Sequence, residues 1–125
     1  MSLDVYLYGP KTAHNCFCSA CGHEHTAQVG EELYSANVTH NLDEMASAAG
    51  LYDCCWRPQE SGFTKAEQLI EPLRAGLALL RADPARFSEF NPINGWGSYE
   101  HFVPWVERYL AACEANPEAD VEVSR

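Results

Sequence analysis

Residues 14 to 25 read His-Asn-Cys-Phe-Cys-Ser-Ala-Cys-Gly-His-Glu-His, a run dense in thiols and imidazoles. Cys18-x-x-Cys21-Gly22 has the spacing of a zinc knuckle. Two intervening residues let a tight turn aim both sulfurs at one ion, and a glycine relieves crowding where the backbone amides turn toward them. Zinc takes four such donors in a tetrahedron. Cys18 and Cys21 head the candidate ligands, Cys16 and His25 come next, and His14 and His23 are further donors within reach. A zinc ribbon has two knuckles and this chain has one. The competing reading is a reduced thiol cluster, or a disulfide formed after purification. Thiol-rich sites are usually closed, so the expected role is structural: a zinc that orders a polar insert over residues 11–30 with little core of its own.

A second set of residues is hard to explain as packing. Asn37, Thr39, His40 and Asn41 lead from a strand into a helix, and Asn94, Trp96 and Tyr99 stand in Asn-Gly-Trp-Gly-Ser-Tyr-Glu before another helix. Helix starts carry free amide hydrogens and partial positive charge, which suit a polar or anionic ligand. Trp56 and Arg57 add a stacking ring and a guanidinium. Each has a plainer reading. Asn41 and Ser98 serve as caps, Trp96 plugs the core, and His40 is a hydrogen-bonded, buried histidine. Cys54 and Cys55 are adjacent, so one is expected in the core and the other outside, while Cys113 falls on an apolar stripe.

These residues need elements to hold them. Period-two alternation over Leu3–Tyr8, Glu32–Thr39 and Asp120–Ser124 predicts three strands. Asn41 with Glu44 reads as a capping box opening a helix from Leu42 to Ala49, which Gly50 ends. Thr64 with Glu67 opens a second helix, whose Leu69, Leu73, Leu77 and Leu80 recur at helical spacing. Pro72 should kink or divide it. Asp83-Pro84 starts a short helix, and Ser98 precedes a last one, with Pro104 tolerated if that helix begins near His101. The expected fold is one α+β domain over 1–125: a small, mostly antiparallel sheet, three to four helices on one face, and the Cys/His-rich knuckle-like loop.

Composition sets limits. The net charge is −10, from 18 acidic and 8 basic residues, with the arginines dispersed. Nucleic-acid affinity rests largely on clustered Lys and Arg, so direct nucleic-acid binding is not expected. The opening residues carry no basic, apolar leader and no run spans a bilayer, so a cytoplasmic location and no membrane association are expected.

Asn37-Val38-Thr39-His40-Asn41-Leu42, Trp56-Arg57-Pro58, Asn94-Gly95-Trp96-Gly97-Ser98-Tyr99-Glu100 and the closing Val121-Glu122-Val123-Ser124-Arg125 resemble a family of small proteins carried by phages and prophages. The resemblance covers about residues 37–125 and the first eight residues. It implies context rather than chemistry, and no catalytic residue is carried over. The leading expectation is a non-enzymatic binding protein, possible as a homo-oligomer, that sequesters a polar or nucleotide-like small molecule or a host protein in a counter-defence role. One alternative is a metal-dependent hydrolase or nuclease using His40, His101 and Glu100. Another is an acidic interaction module that imitates DNA.

Overall fold

The computed structural model describes residues 2–9, 12–17, 24–29 and 31–125, with the backbone alone over 12–17 and 24–29. Strand β1, Ser2–Tyr8, is central in a three-stranded antiparallel sheet. It pairs with β4, Glu32–Thr39, on one side and with β5, Asp120–Ser124, on the other. The three alternating segments read from sequence are these strands. Their inward residues are Leu3, Val5 and Leu7 on β1, Val38 on β4 and Val121 on β5, all buried.

The polar insert, in which no strand was read, contains a pair of strands. Strands β2, Thr12–Phe17, and β3, Glu24–Val29, pair antiparallel as a separate two-stranded sheet. No apolar alternation announced it.

Five α-helices stand among the described residues, more than the three to four expected. They are α1, Asp43–Ala48; α2, Tyr52–Trp56; α3, Ala66–Ala82; α4, Pro84–Ser88; and α5, Tyr99–Ala115. The longest two, α3 and α5, pack on each other, and their stripes Leu69, Leu73, Leu77, Leu80 and Phe102, Val106, Tyr109, Leu110 join one core with the sheet.

Pro72 does not divide α3, which runs unbroken from Ala66 to Ala82. An interior proline costs about 3 kcal/mol, because it removes one amide and crowds the preceding turn. Burying each of four leucines returns roughly 1.5–3 kcal/mol, so packing prevails. Similarly, α5 begins two residues before His101 and still carries Pro104.

The caps shift by small steps. A 3-10 turn over His40–Leu42 precedes α1, and Thr39, not Asn41, caps it: Thr39 Oγ1 accepts from the Asn41 amide at 3.3 Å. At α3, Gln68 rather than Glu67 closes the box, its Oε1 accepting from the amides of Thr64 at 2.7 Å and Lys65 at 2.9 Å. Asp83 caps α4 as expected. Gly50 takes φ 74° and Leu51 folds back into the core.

Cys54 and Cys55 are both buried, against the expectation that one would face water. Their sulfurs lie 3.9 Å apart. They sit in the core with Cys113 and Tyr109. Burial pushes the Cys113 thiol up to about 12, and the Tyr109 hydroxyl well above its usual range.

Candidate polar cleft

Two of the polar motifs meet. The end of β4 and the loop before α5 come together because Gly97, at φ 96°, lies against Thr39 and Leu42 with no room for a Cβ. Asn94 Oδ1 accepts from the Trp96 amide at 3.0 Å, which turns the loop, and Asn41 Nδ2 reaches the Trp96 carbonyl at 3.5 Å. Behind the loop, Asn91 Oδ1 accepts from the Tyr99 amide at 2.8 Å, and the Tyr99 hydroxyl donates to the Leu80 carbonyl at 2.6 Å.

The junction leaves two adjoining cavities. One, of about 440 Å³, is lined by Ser2, Asn37, Thr39, Asn41 and Trp96. The other, of about 400 Å³, shares Asn37 and Thr39 and runs along α5 past Gly97, Glu100, His101, Trp105 and Arg108. Trp96 stands 71% exposed over the first, so it is not the core plug that one reading made it.

The donors and acceptors are specified in part. Both amide hydrogens of Asn37 are used, by Ser2 Oγ at 2.8 Å and Asp4 Oδ1 at 2.7 Å. Asn37 can therefore offer a ligand its carbonyl oxygen alone. Thr39 Oγ1 accepts from Asn41, so its hydroxyl hydrogen remains to donate. The Trp105 indole N–H is buried with no partner among the described residues.

The structure divides the sequence candidates. Asn37, Thr39, Asn41 and Trp96 share the cleft. Asn94 and Tyr99 shape its loop and helix without lining it. Trp56 is 2% exposed and cannot offer a stacking ring; its indole donates to His40 Nδ1 at 3.0 Å. That bond makes His40 the hydrogen-bonded partner of its plainer reading, although the residue is half-buried rather than buried. His40 lines a different hollow, beside Glu44, Glu89 and Ile93. Arg57 lines neither cavity of the cleft: its Nε donates to the Tyr52 hydroxyl at 3.0 Å and it pairs with Glu60.

Sequence reasoning named Glu100 and His101 only for a hydrolase, and missed Trp105 and Arg108 and the α5 wall that the four share. Its signal was present: His101, Trp105 and Arg108 recur at i, i+4 and i+7, one helical face of polar and aromatic residues. Ser98 Oγ lies 3.0 Å from His101 Nδ1. Ser98 holds the N-cap position of α5 but makes no side-chain cap bond to a backbone amide, against the expectation that it caps; its hydroxyl meets the His101 ring instead, and no third side chain orients His101 among the described residues.

Of the metal candidates, Cys18 and Cys21 lie outside the described residues, as does His23. Cys16 and His25 occupy directly opposed positions in the β2–β3 register. Among the described residues no group of three or more His, Cys, Asp or Glu is gathered for a metal. No helix among them is long and apolar enough to cross a membrane.

No protein-family model, no curated protein and no solved structure matches the chain.

Proposed function

We propose that this chain is a non-catalytic binding protein that sequesters a polar small molecule of nucleotide size in the cleft between β4 and α5. One observation carries the reading: two polar motifs more than fifty residues apart converge on a single cleft, with Trp96 largely exposed above it. An exposed indole on a glycine-flanked loop suits a planar group, since stacking on an aromatic ring contributes about 1–3 kcal/mol per base. The Asn37 carbonyl and Thr39 hydroxyl fit polar edges, and Arg108 with His101 supplies donors for an anionic end. The adjoining volumes fall in the range of small-molecule sites.

In this reading a structural zinc is held by Cys18, Cys21, Cys16 and His25. The opposed register of Cys16 and His25 on either side of the knuckle supports that set. The motif resemblance supports a phage protein acting in the host cytoplasm.

A second reading rests on exposure. Ile93 and Trp96, on one loop, are the most exposed large apolar residues described, at 106% and 71%. Such a pair suits an anchor for a host protein.

The test is native mass spectrometry of protein purified without chelator, followed by thermal shift with a nucleoside and nucleotide panel on wild type and Trp96→Ala. A small organic mass lost on denaturation, or a shift that Trp96→Ala abolishes, supports the small-molecule reading. No co-purified mass and no shift with any member of the panel would overturn it and favour the protein anchor. A mass excess of one zinc, lost in Cys18→Ser, reports the metal separately.

A further inference from the structure

The sheet has a second face. Along β1 the outward residues are Ser2, Asp4, Tyr6 and Tyr8, each partly exposed, while the helices pack on the side of Leu3, Val5 and Leu7. Tyr6 and Tyr8 stack with ring centroids 5.9 Å apart and planes 18° from parallel. They lie on the central strand, so they form the middle of this face.

Carboxylates surround them. Glu122 on β5 pairs with Tyr6, Asp120 with Tyr8, and Glu32 on β4 opposes Tyr8 from the other side. Asp4 continues the row toward Asn37. The one cation touching this set among the described residues is Lys65, at the edge, paired with Asp120. Burial, together with Glu122 and Glu32, raises the Tyr8 hydroxyl, so that ring stays neutral.

We infer that this tyrosine-centred, carboxylate-rimmed sheet face is a docking surface for an arginine- or lysine-bearing segment of a partner protein. A cation over a tyrosine ring is attracted by the ring's negative face, and the flanking carboxylates add to that attraction at the same point. Aromatic sheet faces that stack bases are flanked by basic residues that take the phosphates. Here the same positions are acidic and would repel a phosphate backbone. A second copy of this chain, itself at net charge −10, is disfavoured for the same reason. Tyr6 and Tyr8 line neither cavity of the cleft; the face meets the cleft only at its far end, through Ser2 and Asn37, so its tyrosine centre does not use the ligand proposed there.

The experiment is an NMR titration of the full chain with a synthetic arginine-glycine repeat octapeptide at physiological salt. Amide shifts should centre on Tyr6, Tyr8, Ser35 and Glu122. Two charge reversals of equal size separate a site from general attraction: Glu32→Lys with Glu122→Lys on the face, and Glu71→Lys with Glu118→Lys away from it. All four side chains are solvent-exposed, so each pair should fold. The face pair should weaken binding roughly tenfold or more, and the remote pair about twofold or less. Equal weakening by both pairs, or shifts scattered over α3 and α5, would overturn the proposal. So would a single-stranded oligonucleotide that perturbs Tyr6 and Tyr8 more strongly than the peptide.

Discussion

Gly97→Ala tests whether the Trp96 loop is seated as described. Gly97 has φ 96°, and a Cβ there would lie 2.6 Å from Thr39 Cγ2 and 3.0 Å from Leu42 Cγ. Two costs add. An L-residue in left-handed backbone loses about 1–2 kcal/mol. Overpacking against Leu42, which is fully buried and has nowhere to go, adds about 1–3 kcal/mol. The total expected loss is about 2–5 kcal/mol, unless the loop lifts away to relieve the contact.

A neighbouring glycine provides the control. Gly95 has φ 76° with nothing within 4 Å of a Cβ, so Gly95→Ala should lose the backbone cost alone, about 1–2 kcal/mol. Urea unfolding of both variants, read as midpoint shifts at constant slope, isolates the steric part by difference. Acrylamide quenching reports the loop directly, because Trp56 and Trp105 are buried and Trp96 is not. Gly97→Ala should be the less stable variant, or should match Gly95→Ala in stability while Trp96 becomes more quenchable. Equal stability with unchanged quenching would refute the seating of Gly97 on Thr39, and with it the closed geometry of the cleft.

Two further predictions concern the core. The Tyr109 hydroxyl is buried without a partner among the described residues, so Tyr109→Phe should leave stability unchanged or raise it by up to about 1 kcal/mol; a midpoint loss larger than that would mean the hydroxyl has a partner. Cys113, pushed up to about 12 from 9.0 by burial, binds its proton more tightly folded than unfolded. Its contribution is therefore complete below about pH 9 and is lost as pH rises toward 12, at about 1.4 kcal/mol per pH unit. Stability measured at several alkaline pH values should fall less steeply in Cys113→Ala than in wild type, and parallel slopes would contradict the buried-thiol account.

The sequence foretold the elements that repeat a pattern and missed those that do not. Three strands were legible because Leu3, Val5 and Leu7, and Tyr34, Ala36 and Val38, alternate with residues of other character. The hairpin partners Thr12–Phe17 and Glu24–Val29 carry no such alternation. Helix α2 is too short at five residues to show a helical period. The caps slipped because Thr39 and Asn41, or Glu67 and Gln68, have the same chemical competence, and the winner depends on where the backbone turns. Trp56 was misread for a different reason. Its indole partner is His40, sixteen residues away, and a neighbour chosen by tertiary packing leaves no local trace.

The same distinction bears on how a ligand would be detected. Asn37 and Thr39 belong to β4, and Trp105 and Arg108 to α5, two elements of the same core, whereas Trp96 stands on a loop. A ligand that spans the cleft ties β4 to α5, so its binding energy is lost when the whole domain unfolds. At a hundredfold excess over Kd that adds about 2.7 kcal/mol, a rise in Tm on the order of 10 °C for a chain of this length. A ligand held by Trp96 alone could leave with local opening of the loop, quenching its fluorescence while barely moving Tm. Quenching together with a rise in Tm therefore marks a ligand seated in the cleft, and quenching alone marks one resting on its rim.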